Sequence, residues 1–212
     1  MEQSKGYFDK VASNWDNMRS DFFSDEVRIV AYNTANVEEG KIAADIGAGT
    51  GFISEGLLKK NVNVIAVDQS QEMLNLLKNK FSAYENLNCI QGESENLPIE
   101  DNAVDYVFAN MFLHHVKNPF VAIKEMERIL KPGGKLVITD LDEHNFEFLK
   151  TEQYDVWMGF DRKQIIKWFE DAGLKNVAVN SVGSNCCTGS KCGCSKASIS
   201  IFVAYGEKLN IE

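Results

Sequence analysis

One segment constrains this chain more than any other. Asp45-Ile46-Gly47-Ala48-Gly49-Thr50-Gly51 closes the short apolar run Lys41–Ile46 with three glycines at alternate positions. A run of that kind reads as a buried strand, and glycines directly after it let the backbone turn sharply and let a ligand come close without a Cβ in the way. The rest of the chain fits that start. Val62–Asp68, Leu87–Gln91, Val104–Asn110, Lys135–Leu141 and Leu174–Val182 read as further strands, with helices over Phe52–Lys60, Gln71–Phe81, Asn118–Leu130 and Arg162–Ala172 between them. Alternation of this kind predicts a mostly parallel sheet covered by helices on both faces. The final strand, Ala197–Tyr205, follows with no room for a crossover helix, so it is expected to close an antiparallel hairpin.

Ahead of the first strand, Phe8, Val11, Ala12 and Trp15 recur at helical spacing, and a second helix is expected over Ser24–Asn36. The expected organisation is one domain over 1–212. It divides into a helical cap over 1–40, a core over 41–182, a cysteine-rich loop over 183–196, and a last strand and tail over 197–212.

The glycine loop has competitors. A dinucleotide loop, G-x-G-x-x-G counted from Gly47, needs glycine where Phe52 stands. A P-loop needs Gly-Lys-Ser/Thr, which is absent. Asp68 ends the second strand, where a carboxylate can accept two hydrogen bonds from vicinal ribose hydroxyls. Capping of the next helix is the plainer role for it, and the loop upstream favours the ribose. In an open parallel sheet both elements lie at the carboxyl ends of the strands, where ligands bind.

Five segments occur in a characteristic order. They are Asp45–Gly51, Val67-Asp68-Gln69-Ser70-Gln71-Glu72-Met73-Leu74, Gly92-Glu93-Ser94-Glu95-Asn96-Leu97-Pro98, Leu113-His114-His115-Val116 and Arg128-Ile129-Leu130-Lys131-Pro132-Gly133-Gly134. In this the chain resembles the class I S-adenosylmethionine-dependent methyltransferases, in the branch that includes quinone-biosynthesis and arsenite methyltransferases. The resemblance covers roughly residues 40–140. It implies an α/β, Rossmann-like, seven-stranded sheet and S-adenosylmethionine as cofactor. It also implies roles: Asp45 as a cofactor-binding residue, the backbone of Gly47, Gly49 and Gly51 beside the methionine moiety, and Asp68 on the ribose. Gln69 and Met73 would lie near the adenine, Glu93 and Ser94 at its edge, and Asn110 on the methyl side. Glu93 stands where the family often has aspartate. Tyr7 and Trp15 are candidates to lid the pocket, with core packing as the alternative.

Methyl transfer from a sulfonium is an in-line displacement that needs no protonation of the leaving group, so positioning carries most of the catalysis. A base is needed only for a protonated acceptor. His115 is a candidate. His144, among Asp140, Asp142 and Glu143, reads as part of a solvated acidic loop with metal binding as the alternative.

Four of the five cysteines, Cys186, Cys187, Cys192 and Cys194, crowd into the segment after the sixth strand, which should end on the cofactor side. Such spacing suits a soft thiophilic ion, which the resemblance to arsenite methyltransferases implies is arsenite presented to the methyl donor; the alternative is a structural or redox clip on an enzyme of another small acceptor, quinone-like for example. A non-enzymatic metalloid-binding protein is the reading from another class. The net charge of −9 speaks against nucleic acid and anionic membranes as partners. The amino-terminal residues lack a signal peptide's apolar core and no run reaches membrane-spanning length, so a cytoplasmic location is expected. The expected partner is a small-molecule methyl acceptor; oligomeric state is not legible.

Overall fold

The computed structural model of the chain describes residues 2–190, 193 and 196–209. Three helices lead: α1 (Glu2–Val11), α2 (Trp15–Phe22), joined to it by a 3-10 turn, and α3 (Glu26–Ala35). The core follows as β1 (Ile42–Ile46), α4 (Phe52–Lys59), β2 (Asn63–Asp68), α5 (Gln71–Lys80), β3 (Leu87–Gln91) and β4 (Val104–Asn110). It continues through α6 (Pro119–Ile129), β5 (Leu130–Leu141), the short α7 (Phe148–Glu152), α8 (Arg162–Asp171), β6 (Lys175–Gly189) and β7 (Lys196–Glu207).

The seven strands form one sheet in the order β3-β2-β1-β4-β5-β7-β6. β1 to β5 pair in parallel, and β7 is antiparallel to both of its neighbours. The expected mostly parallel sheet with an antiparallel hairpin is therefore the observed one. From β1 the chain moves outward one way to β2 and β3, then returns to start β4 on the other side of β1. The sheet's switch point lies between β1 and β4, where a crevice opens at the carboxyl ends.

Each central strand feeds two cores. In β4, Tyr106 and Phe108 join the side covered by α3 and α4, while Val107 and Ala109 join the side covered by α6 and α8. This is the two-residue period of a strand buried on both faces. Local chemistry sets the helix ends. Ser70 Oγ accepts from Met73 N at 3.1 Å to cap α5, Asp161 Oδ1 accepts from Lys163 N at 2.7 Å to cap α8, and Pro119 opens α6, where its missing N–H costs nothing. Phe169 of α8 is fully buried. Phe169→Ala is expected to lower unfolding stability by about 3–5 kcal/mol through the cavity it leaves, read as a lower urea midpoint with unchanged slope.

Three expectations need correction. β5 begins at Leu130 and runs through Lys131-Pro132-Gly133-Gly134, because Leu130 already pairs with Val104. α7 falls where no helix is expected; five residues are too few to show a period. The described part of 183–196 is largely strand: β6 continues to Gly189, with Asn185 to Gly189 paired to Ser200 to Lys196 across the hairpin. Its glycines and serines mask a bulge, a register shift between Ser181 and Asn185 around Gly183 at φ +91°.

Candidate active site

The crevice at the switch point is an open cavity of about 1070 Å³, counting its mouth. The glycine loop forms its floor. Gly47, Gly49 and Gly51 all hold positive φ, at +70°, +53° and +92°. A Cβ on Gly47 would overlap the Phe112 ring; one on Gly49 would point toward the Trp15 indole, 3.6 Å from Nε1, and fill the gap between loop and indole. Gly51 has another task. It does not appear in the lining but caps α4, with Phe81 and Leu77 packed where its side chain would be.

Asp45, Gly47, Gly49, Asp68, Gln69, Met73, Glu93, Ser94 and Asn110 all line this one cavity. They arrive from the ends of β1, β2 and β4, from the turn after β3 and, for Met73, from the first turn of α5. Asp68 is fastened at both oxygens: Gly49 N donates to Oδ2 and Ser70 N to Oδ1, each at 2.8 Å. Burial pushes its pKa up, and those two N–H groups oppose the rise. Asp45 Oδ2 accepts from Ser54 N at 3.0 Å and Ser54 Oγ at 2.7 Å. Burial raises the Asp45 pKa to about 7 despite both bonds. Asn110 is oriented by Thr139, whose Oγ1 donates to Asn110 Oδ1 at 2.8 Å. The next residue, Met111, sits at φ +48°, an uncommon conformation for a long side chain, held by its N–H donating to Thr139 O at 2.8 Å.

The amino-terminal helices close one side. Ser70 Oγ donates to Asp9 at 2.5 Å, Thr50 Oγ1 to Asp16 at 2.6 Å, and Lys80 pairs with Asp16 at 2.8 Å. These ties tether α1 and α2 to the glycine loop and to α5. Trp15 and Phe8 enter the lining, whereas Tyr7 stacks on Phe8 and Tyr154 outside it.

At the end of the cavity near β4, His115 lines the wall with its ring against Phe8 at 5.0 Å. Behind it lies a buried polar group. His114 Nδ1 bonds Asp140 Oδ1 at 2.6 Å, and Asp155 Oδ1 lies 3.9 Å from His114 Nε2 and 3.8 Å from His115 Nδ1. Burial works to lower the His114 pKa, but the adjacent Asp140 and then Asp155 outweigh it and lift it to about 9. Burial and the His114 charge hold His115 well below its ordinary value. Burial lifts Asp155 to about 6. Asp155 reaches this place because Val156 N and Trp157 N both donate to His114 O at 3.0 Å and Trp157 Nε1 donates to Val116 O at 2.8 Å. No motif marks it. The only local signal is an acid inside the aromatic run Tyr154–Phe160. The acidic stretch at the end of β5 is not the solvated loop expected: Asp140 is fully buried, Asp142 is held by Arg162 at 2.7 Å, and His144 is buried.

Cys186 and Cys187 lie apart from the cavity. β6 does end on the cofactor side, but the two are consecutive strand residues on opposite faces, one buried in the core and the other exposed. Neither lines the cavity, so these two do not converge on an ion presented to the loop. Burial pushes the Cys186 thiol up to about 12. Cys192 and Cys194 lie outside the described residues.

Residues 44–138 match the family described as methyltransferase domain. A demethylmenaquinone methyltransferase of Staphylococcus epidermidis is 30% identical over 75% of this chain and 68% of its own length. Another from Staphylococcus aureus is 28% identical over 85% and 88%. Among solved structures, the putative methyltransferase bound to the Trm112 activator of Haloferax volcanii superposes with a TM-score of 0.76 over 96% of this chain and 98% of that one, at 20% identity. The Bacillus YcgJ protein gives 0.74 over 89% and 100%, at 18%. The chain belongs to the class I S-adenosylmethionine-dependent methyltransferases. Its cofactor is S-adenosylmethionine, and it is an enzyme acting on a small molecule.

The residues present fit that cofactor: a glycine floor on which a side chain would intrude, a carboxylate fixed at the second strand, and the acids Asp45 and Glu93 in the lining, a polarity suited to a cationic ligand. Asp45 yields a pH prediction. Its folded pKa near 7 exceeds the ordinary carboxylate value, so the free protein holds a proton there below pH 7. A cation placed nearby favours the ionised form, so binding must expel that proton. Affinity for S-adenosylmethionine should be flat above pH 7 and fall by up to about tenfold per unit below it, and the dependence should vanish in Asp45→Asn. Calorimetry between pH 5.5 and 8 measures this; a pH-independent affinity in the wild type would refute it.

Proposed function

We propose that the enzyme methylates a quinol-like small molecule. The observation that carries the reading is the continuity of one cavity from the glycine loop, past the aromatic walls of Phe8, Trp15 and Phe112, to His115 and its buried polar backing. A flat aromatic acceptor with a hydroxyl suits walls of that kind and a polar end. The names of the staphylococcal relatives support the same class.

In this reading the backbone of Gly47 and Gly49 follows the methionine moiety, Gly51 holds the turn behind them, and Asp68 takes the ribose hydroxyls. Gln69 and Met73 flank the adenine, Glu93 and Ser94 meet its edge, and Asn110 faces the methyl. S-adenosylmethionine supplies the electrophilic methyl group. The chain supplies position: Trp15 and Phe8 shut water from one side, Asn110 is locked by Thr139, and His115 stands where the acceptor's hydroxyl would lie. A quinone becomes a nucleophile only when reduced, so its hydroxyl must also be held and relieved of its proton. The arsenite reading draws no support from Cys186 and Cys187, which lie off the cavity.

The test is transfer of labelled methyl from S-adenosylmethionine to a short-chain naphthoquinol, to the same compound oxidised, and to arsenite. Turnover of the quinol alone is expected. Transfer to arsenite with none to the quinol would overturn the proposal.

A further inference from the structure

Where the acceptor's hydroxyl would lie, the polar group holds atoms that nothing among the described residues satisfies. His115 Nδ1 and Asp155 Oδ1 are buried without a hydrogen-bond partner there, and so is His144 Nε2 nearby. The Asp155 side chain is 1% exposed, that of His114 6% and that of His115 10%. A buried carboxylate oxygen with no donor is costly, as is a buried ring nitrogen, and native proteins leave few of them. They converge here: one donor atom each from His114, His115 and Asp155, all within 4.8 Å of one another.

We propose that His114, His115 and Asp155 form a binding site for a divalent transition cation of the zinc type, open toward the cofactor cavity. Two imidazoles and one carboxylate are a donor set such ions take, leaving a coordination position free for water or substrate. Bonds of about 2.0–2.2 Å at tetrahedral angles put donor atoms about 3.3–3.5 Å apart. The Asp155 oxygen stands 3.9 Å and 3.8 Å from the two imidazole nitrogens, and the three donor atoms lie within 4.8 Å of one another, so side-chain rotations of about an ångström draw the set together. The surroundings are also those of a metal site. Asp140 binds His114 Nδ1 at 2.6 Å, which fixes the ring and leaves Nε2 for the ion, the carboxylate–histidine arrangement that orients metal ligands. Leu113 N donates to the other Asp140 oxygen at 2.8 Å and locks it in turn. The Asp155 backbone is pinned by the bonds from Val156 and Trp157 to His114 O. Of the three, His115 belongs to the cavity wall, which sets the site directly behind the space for the acceptor. An ion there would hold the acceptor's oxygen and favour its anion. That use rests on the quinol reading; the binding of the ion does not.

The experiment uses the full chain stripped with chelator and carrying Cys89→Ala, Cys186→Ala, Cys187→Ser, Cys192→Ser and Cys194→Ser, so that thiols cannot bind the probe. Titration with Co²⁺, followed by calorimetry and visible absorption, should give one equivalent per chain. Asp155→Asn in that background should weaken Co²⁺ at least 100-fold. Asp140→Asn should weaken it about 10- to 100-fold, with affinity for S-adenosylmethionine within threefold of the parent as the check on folding. Should either variant fail to fold, the parent decides alone: Zn²⁺ must shift the ¹⁵N signals of the His114 and His115 rings. Absent stoichiometric binding, unmoved ring signals, or a Co²⁺ affinity indifferent to Asp155→Asn would each overturn the site. Cation binding without quinol methylation would keep the site and defeat the quinol reading. Full quinol turnover after chelation would keep that reading and remove the ion from it.

Discussion

Asp68→Ala is expected to weaken S-adenosylmethionine binding by about 100-fold or more with the fold retained. The carboxylate lies at the end of β2, on the rim of the cavity, and its two oxygens already accept from Gly49 and Ser70. Those bonds aim its remaining lone pairs outward, toward a ligand's hydroxyls. Hydrogen bonds to a charged group are worth about 1.5–3 kcal/mol each, so losing two costs at least about 3 kcal/mol, the equivalent of roughly 100-fold in affinity. The substitution also frees Gly49 N and so loosens the loop. Calorimetric titration reads the change; an affinity within threefold of wild type would remove Asp68 from the cofactor site.

Gly47→Val is expected to abolish detectable cofactor binding and to lower the melting temperature as well. At φ +70° a β-branched residue is strained by about 1–3 kcal/mol, and its Cβ would overlap the Phe112 ring, so loop and ring cannot both stay. Gly173 provides the contrast. It holds φ +101° at the turn between α8 and β6, with nothing within 4 Å of the place a Cβ would take. Gly173→Ala should carry only the backbone strain, lowering stability by about 1 kcal/mol while leaving cofactor affinity unchanged. Parallel melting and binding curves for the two variants separate a loop that binds from a loop that merely turns. Equal loss of binding in both would contradict the distinction.

These sites are readable in the sequence to different depths. The glycine loop and Asp68 are legible because strand ends, glycine spacing and an acid at the next strand's end are local signals, and parallel topology carries local signals to one edge. The two-face burial of β4 is legible in its unbroken apolar stretch Tyr106–Ala109. Asp155 is not, because its place depends on backbone bonds to His114, far earlier in the chain, on a segment with no period of its own. The acids at the end of β5 look solvated since composition alone cannot reveal that Asp140 turns inward to His114. The segment around Cys186 looks like a loop because glycine and serine dominate it. Cross-strand pairing with Ser198 to Ser200 overrides that composition, and once Cys186 is in a strand its neighbour must face the other way.

The most direct measurement is a crystal structure of the enzyme soaked with S-adenosylhomocysteine. The ribose hydroxyls should lie within hydrogen-bond distance of the Asp68 carboxylate, with the sulfur beyond Gly47 toward Asn110 and the space before His115 left free for an acceptor. A ligand whose adenine occupied the His115 end, or whose ribose met no carboxylate at Asp68, would contradict the account.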